Sequence, residues 1–323
     1  MPMPMPMPIP NTKHEADGSP HRRRLRRRPL LLALLVALAV ALTAVISAQG
    51  ATAPARWIVF AATPPGPPVN QLYRVQPSGA GLRQITSATL PSTAPAFSPD
   101  GKRIAFVRGS VGIFTMNPDG TGLRRLTSNI RDSYPAWSPD GKQLAFVRPV
   151  DKQWRVHVMS ASGTGLRQLP KGPPSGRPNW TTGGLLIPTG GDLARIDAKT
   201  GRVEKYYEAD IDPIWGLNSV VVSPDRSTIT FVGQRSADPG DTDCGEGPCQ
   251  RFSLYIENVL TTKTPRVLAP DVGPATFSPD GKSLAFAARG GLVIWSLASG
   301  GSKLIQTGTA YISVGSPPAW QPR

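Results

Sequence analysis

FSPDGKRIAFV, Phe97 to Val107, returns as WSPDGKQLAFV at Trp137 to Val147 and as FSPDGKSLAFA at Phe277 to Ala287. A serine, an acid and a lysine so close together suit either a repeated reactive site or a repeated turn. Backbone chemistry favours the turn. Proline sets φ near −65° at the second position of a type I turn, Asp tolerates the third, and Gly accepts positive φ at the fourth. Asp100, Gly101, Asp140, Gly141, Asp280 and Gly281 are therefore read as structural turn residues. The segments that follow place Ile104 and Phe106 at alternate positions, as a strand does.

The repeat extends beyond this motif. Aligned on the residue at the Phe97 position, units fall at Phe97, Trp137, Trp180, Val222, Phe277 and Trp320, in steps of 40, 43, 42, 55 and 43 residues. All but one step match the roughly 40–45-residue period of a four-stranded propeller blade. The unit from Pro95 to Thr127 shows the logic: PAF opens a strand, SPDG turns, KRIAFVRG and VGIFTMN are the second and third strands, PDGTG turns again, and LRRLT is the fourth. Short β segments between Gly/Pro/Asp turns predict an all-β protein. The arginines of GLRQIT, GLRRLT and GLRQLP suit an outer edge strand that must not pair with another chain.

The two ends of the repeat are out of phase in a complementary way. RWIVFAA, from Arg56, reads as a second strand without a first, and PPAWQPR, to Arg323, as a first strand without a second. The C-terminal strand should complete the N-terminal blade. The predicted fold is a six-bladed β-propeller of four-stranded blades, with whole blades starting near 95, 135, 178, 220 and 275 and one composite blade.

SPDGKxLAF followed by MNPDGTGLRRLT, Met116 to Thr127, resembles the repeat of TolB-type (WD40-like) propellers. The resemblance covers nearly all of residues 56–323. TolB is a periplasmic protein of the Tol–Pal envelope system; similar repeats occur in propeller domains attached to peptidases and in other envelope proteins. The resemblance therefore implies a binding propeller outside the cytoplasm, without the N-terminal domain that precedes the propeller in TolB. Blade four (NWTTGGLLIP) lacks the SPDG turn, and blade five carries Arg226 in place of its glycine.

Residues 1–28 end in HRRRLRRR and read as a basic cytoplasmic tail. Pro29 to Ala48 is an uncharged apolar run near the roughly 20 residues needed to span a bilayer. Six arginines on its N-terminal side hold that end in the cytoplasm. We expect one transmembrane signal anchor over 29–48, a linker over 49–55, and the propeller, 56–323, outside the cytoplasm. The alternative is secretion after cleavage of the same segment.

The chain carries a formal charge of +15, and the part after residue 50 holds 29 basic and 19 acidic side chains. That excess permits an anionic partner, but an exported domain is not expected to meet nucleic acid. The three histidines, His14, His21 and His157, do not form a metal or acid–base cluster in sequence, and there is no Gly-x-Ser-x-Gly nucleophile elbow. Successive copies of the turn acid belong to different blades, so Asp100, Asp140 and Asp280 are expected to lie well apart. No enzyme and no cofactor are expected.

The 55-residue step comes from an insertion over 233–251 that contains Cys244 and Cys249; the four residues between them exclude a redox CxxC and suit a small extracytoplasmic disulfide loop. Its Asp238, Asp241, Asp243 and Glu246 make Ca2+ the one metal option over 238–246, without an EF-hand pattern. The loops opposite the SPDG rim collect Arg108, Arg131, Asp132, Tyr134, Arg148, Asp210, Asp212, Trp215 and Arg289 as a candidate interaction face. Mixed charge with Tyr and Trp suits a protein or peptide partner in the envelope. The sequence thus points to a membrane-anchored interaction or ligand-binding scaffold; the alternative is a hydrolase or lyase acting on envelope carbohydrate or peptide at the propeller mouth.

Overall fold

The computed structural model describes residues 56–322 apart from 66–67, 88, 170–176, 189–191, 209–213, 237–249, 259–265, 271, 289, 309–310 and 314. The tail, the apolar run, the two cysteines and the proposed calcium loop lie outside the described residues. Among the described residues, no helix is long and apolar enough to cross a membrane.

The described strands form six antiparallel sheets. Blade two is representative: Ser92–Phe97, Ile104–Arg108, Gly112–Met116 and Arg124–Arg125 follow one another from the inner to the outer edge. Blades three, four, five and six begin with Ser133–Trp137, Asn179–Thr181, Ile214–Val222 and Ala275–Phe277. Blade one is the composite. Its Ile58–Thr63 strand pairs with Gln71–Val75 on one side, and on the other with Ala319–Trp320 in the register Ile58 to Trp320 and Val59 to Ala319. A second short piece, Tyr311–Ile312, pairs with the far end of the same strand. The inner strand of the closing blade is thus supplied in two parts.

Gln321 clasps this closure. Its backbone N–H donates to the Trp57 carbonyl at 2.8 Å, its side-chain oxygen accepts from Trp57 N–H at 3.1 Å, and its amide nitrogen donates to the Gly101 carbonyl of blade two at 3.0 Å.

The SPDG motif folds as its chemistry requires. The Ser98 hydroxyl donates to the Asp100 carboxylate at 2.6 Å, which also accepts from Lys102 N–H, while Gly101 N–H closes the turn on the Ser98 carbonyl. The same bonds recur around Ser138–Asp140 and Ser278–Asp280. The glycines sit at φ of 67°, 69° and 70°, which explains why the repeat uses them; Arg226 adopts 62° in their place in blade five.

Packing explains the second strands. Ile104, Ala105 and Phe106 are all fully buried, so alternation does not separate core from solvent here. It separates two neighbours. Ile104 and Phe106 pack with Val59, Ala61 and Leu72 of blade one, while Ala105 and Ile113 pack with Leu144, Phe146 and Met159 of blade three. The six buried apolar clusters among the described residues fall one at each blade junction. Phe60, Phe106, Phe146, Phe231 and Phe286 occupy the same second-strand position in five blades, each almost completely buried.

Basic residues of the third and fourth strands bridge neighbouring blades. Lys303 of blade six donates to the Ser78 carbonyl of blade one, Arg74 to Pro118 of blade two, and Arg124 to Ser162 of blade three, at 2.7–3.1 Å. Arg167 of blade three reaches Ala198 of blade four in the same way. Four successive junctions are therefore stitched by a cation on the carbonyl of the next blade's outer turn.

Candidate functional site

Strand order places two sets of loops on opposite rims. First-to-second and third-to-fourth turns, such as 98–103 and 117–122, share one rim; second-to-third turns and blade-to-blade connections share the other.

On the SPDG rim, Asp100 and Asp140 line one groove of about 820 Å³ between blades two and three, together with Arg103 and Arg124. The two acids are closer neighbours than blade membership suggests. Each remains committed to its own turn. Bonding from Ser98 holds the Asp100 carboxyl below the usual carboxylate range, and Ser138 does the same for Asp140. Asp225 is lowered likewise by Ser223. A carboxyl held ionised in this way is a poor proton donor near neutral pH. Among the described residues, no group of three or more His, Cys, Asp or Glu could hold a metal ion.

On the opposite rim, the structure places the candidate residues as follows. Arg131 is exposed. Asp132 is buried and forms a two-pronged ion pair with Arg148: Nε to Oδ1 at 2.6 Å and Nη2 to Oδ2 at 2.9 Å. That bond raises the Arg148 pKa above its ordinary value, and the Arg148 guanidinium also lies over Phe146, 5.4 Å from the ring centre. Tyr134 is half-buried against the core between blades three and four and holds φ of 53°. Asp210, Asp212 and Arg289 lie outside the described residues, as does the side chain of Trp215.

Arg108 stands at the blade-two position equivalent to Arg148, but the residue opposite it is Ser92, where blade three has Asp132 next to the equivalent pairing. Its guanidinium lies over Phe114 and Phe106, at 5.1 and 5.6 Å. Burial lowers its pKa. Neither Arg108 Nε nor the Ser92 hydroxyl, both buried, has a hydrogen-bond partner.

The sequence reading missed two exposed apolar residues on this rim. Blade three has long second and third strands, Gln143–Val150 and Gln153–Ser160, joined by a tight turn with Asp151 and Lys152 at positive φ. Next to that turn Trp154 is 42 % exposed, and Ile130, in the connection into the same blade, is 62 % exposed. An exposed Trp beside a hairpin tip was readable from its place in VDKQWRV.

His157 belongs to the same blade but not to the rim surface. It is buried, stacks on Phe146 at 5.6 Å, and its Nδ1 lies 3.2 Å from the Arg155 carbonyl. Burial is the main cause that lowers its pKa; the Arg155 carbonyl and Asp132 act in the other direction, and Arg148 adds to the lowering.

The third feature is the central channel. Four of the six residues that phase the repeat, Phe97, Trp137, Trp180 and Trp320, surround a cavity of about 190 Å³, with prolines between them. The Trp137 indole N–H donates to the Ala96 carbonyl at 3.1 Å, which fixes the ring across a blade junction. Arg177 is the one charged residue among the described lining residues. It stands three positions before Trp180, the phase held by Ala94, Tyr134 and Ser219 in other blades, all three at positive φ. Repeat phase was the signal that could have found it.

Residues 49–188 match the family described as TolB beta propeller domain. The structure is similar to TolB from Acinetobacter baumannii, with a TM-score of 0.64 at 20% identity over 83% of this chain and 67% of that one. It is also similar to a chain of a Nidogen/Laminin complex, with a TM-score of 0.61 at 13% identity over 82% of this chain and 98% of that one. No curated protein sequence matches the chain. Repeat and fold agree on a six-bladed propeller, similar over residues 49–188 to the TolB beta propeller domain.

Proposed function

We propose that this protein is a membrane-anchored, extracytoplasmic propeller that docks a protein or peptide partner of the cell envelope, without catalysis of its own. The observation that carries the reading is the rim of blade three, where a long hairpin and the preceding connection leave Trp154, Ile130 and Arg131 exposed together on one rim. Tryptophan, tyrosine and arginine side chains dominate the energetics of protein interfaces, and Ile130 adds exposed apolar surface beside them. The resemblance to TolB, and to a chain solved in a Nidogen/Laminin complex, supports a protein partner. The opposite rim is occupied by turn acids that satisfy their own backbone.

The test places a photo-crosslinking residue at Trp154, at Arg131, or at the exposed Asp119 of the SPDG rim, in the full-length chain in native membranes. The same discrete envelope protein is expected from the first two positions and not from the third. Equal capture from all three positions, or no capture combined with turnover of a glycan or peptide library by the purified protein, overturns the reading. The topology is tested separately by a reporter, active only outside the cytoplasm, fused after Arg323; a silent fusion refutes extracytoplasmic placement.

A further inference from the structure

We propose that Arg177 is the anchor of a binding site for a carboxylate carried on an apolar body, inside the central channel. The observations are geometric. Among the described residues, the channel wall is otherwise made of Pro, Ala, Val, Phe and Trp, with Asn179 and Thr276 as its polar aliphatic side chains. Among these described, uncharged lining residues stands one guanidinium. Its Nη1 is buried and has no hydrogen-bond partner. The two ion pairs among the described residues, Arg148 with Asp132 and Arg195 with Glu204, do not involve it.

Arg177 as a whole is half-buried, and the desolvated part is Nη1; a cation so placed without a counter-ion costs free energy that the fold does not recover internally. Burial lowers its pKa to about 10, with Tyr134 acting weakly in the opposite direction, so the group stays cationic at neutral pH. An anion that enters the channel recovers what the fold leaves open. The planar guanidinium matches a carboxylate with two parallel bonds. One fixed positive charge balances one negative charge; a phosphate dianion leaves the second uncompensated in the same apolar surroundings. The tryptophan faces and prolines then take the apolar body next to the carboxylate. A peptide C-terminus and a free aromatic carboxylic acid both present this chemistry. The site does not depend on docking at the outer rim, and its failure leaves that reading untouched.

The experiment uses the full-length protein in detergent micelles. Hippurate, hippuramide and inorganic phosphate are titrated separately, with tryptophan fluorescence and calorimetry as readouts. Saturable hippurate binding is expected, about ten- to a hundredfold tighter than hippuramide, the range of charge-assisted hydrogen bonds. Arg177→Gln should lose that preference without a lower Tm, since it removes an unpartnered charge. Arg177→Lys should recover only part of it, lacking the second bond. Acetyl-Ala-Ala-Phe with a free C-terminus, compared with its amide, separates the sources: tighter than hippurate points to a peptide end, weaker to a free acid. Hippuramide binding as well as hippurate, phosphate binding more tightly, undiminished binding by Arg177→Gln, or no saturable carboxylate binding each overturns the proposal. Where Arg177→Gln does not fold, the hippurate-to-hippuramide ratio on the unaltered protein decides.

Discussion

Blade two contains half of an ion pair that blade three completes, and Ser92→Asp should complete it. Asp132 and Ser92 both stand five residues before the phasing aromatic, and Arg148 and Arg108 both stand eleven after it. In blade three the carboxylate takes two bonds from the arginine at 2.6 and 2.9 Å. In blade two the Cα partner of Arg108 is Ser92, and both the arginine Nε and the serine hydroxyl are buried without partners. Two charge-assisted bonds are each worth roughly 1.5–3 kcal/mol, and burying a new carboxylate gives back most of that. A net gain of about 1–2 kcal/mol follows, or roughly 2–6 °C in Tm for a domain of this size. The assay is thermal unfolding at pH 7 and low salt for Ser92→Asp, Arg108→Met and the double variant. The gain should vanish in the Arg108→Met background, giving a coupling of at least about 1 kcal/mol. The arginine side imposes no pH window: in blade three, where the pair exists, Arg148 is raised above its ordinary value, so that contribution is lost only as pH rises past the arginine range. A lower Tm for Ser92→Asp, or the same gain with and without Arg108, refutes the inference that blade two lacks a carboxylate at this position.

Two further outcomes are expected. His157 is lowered by burial, so the unfolded chain binds its proton first and the protein loses stability as pH falls below about 6.5, by up to roughly 1.4 kcal/mol per pH unit until the folded group titrates; His157→Phe should flatten the fall in Tm between pH 7.5 and 5.5, and an unchanged slope sinks the assignment. Gln321→Ala removes the bonds to Trp57 N–H and the Gly101 carbonyl and should cost about 1–3 kcal/mol. Amide exchange over residues 56–63 should accelerate; unaltered exchange means that the clasp does not hold the closure.

The blade count and phase were legible because they rest on local chemistry. SPDG requires a positive φ at its fourth position, and that need is met at Gly101, Gly141 and Gly281 without reference to the rest of the fold. Closure was legible as well, since a strand without a partner at each end leaves one way to satisfy both, and Ile58 does pair with Trp320. The burial pattern was not legible. Ala105 alternates with Ile104 and Phe106 because the blade is a slab between two neighbours, and a sequence read against one core cannot distinguish a second buried face from solvent. The junction cations were invisible for a related reason: Arg124 and Ser162 are neighbours only once two blades are stacked.

The candidate site was half legible, and the reason lies in what a repeat hides. Asp132 and Arg148 were grouped on a surface by the loops that carry them, but the register of blade three turns them toward each other and buries the acid. Arg177 was passed over because it precedes an aromatic that served only to count blades. In a propeller the same phase returns to the same radius and height, so each position has its own internal controls. Ser92 against Asp132 exposes a missing carboxylate. Arg177 against Ala94, Tyr134 and Ser219 exposes a charge where the other blades place none. What a repeat shares builds the ring; the phases at which one copy breaks the chemistry of the others mark where something outside the ring is required.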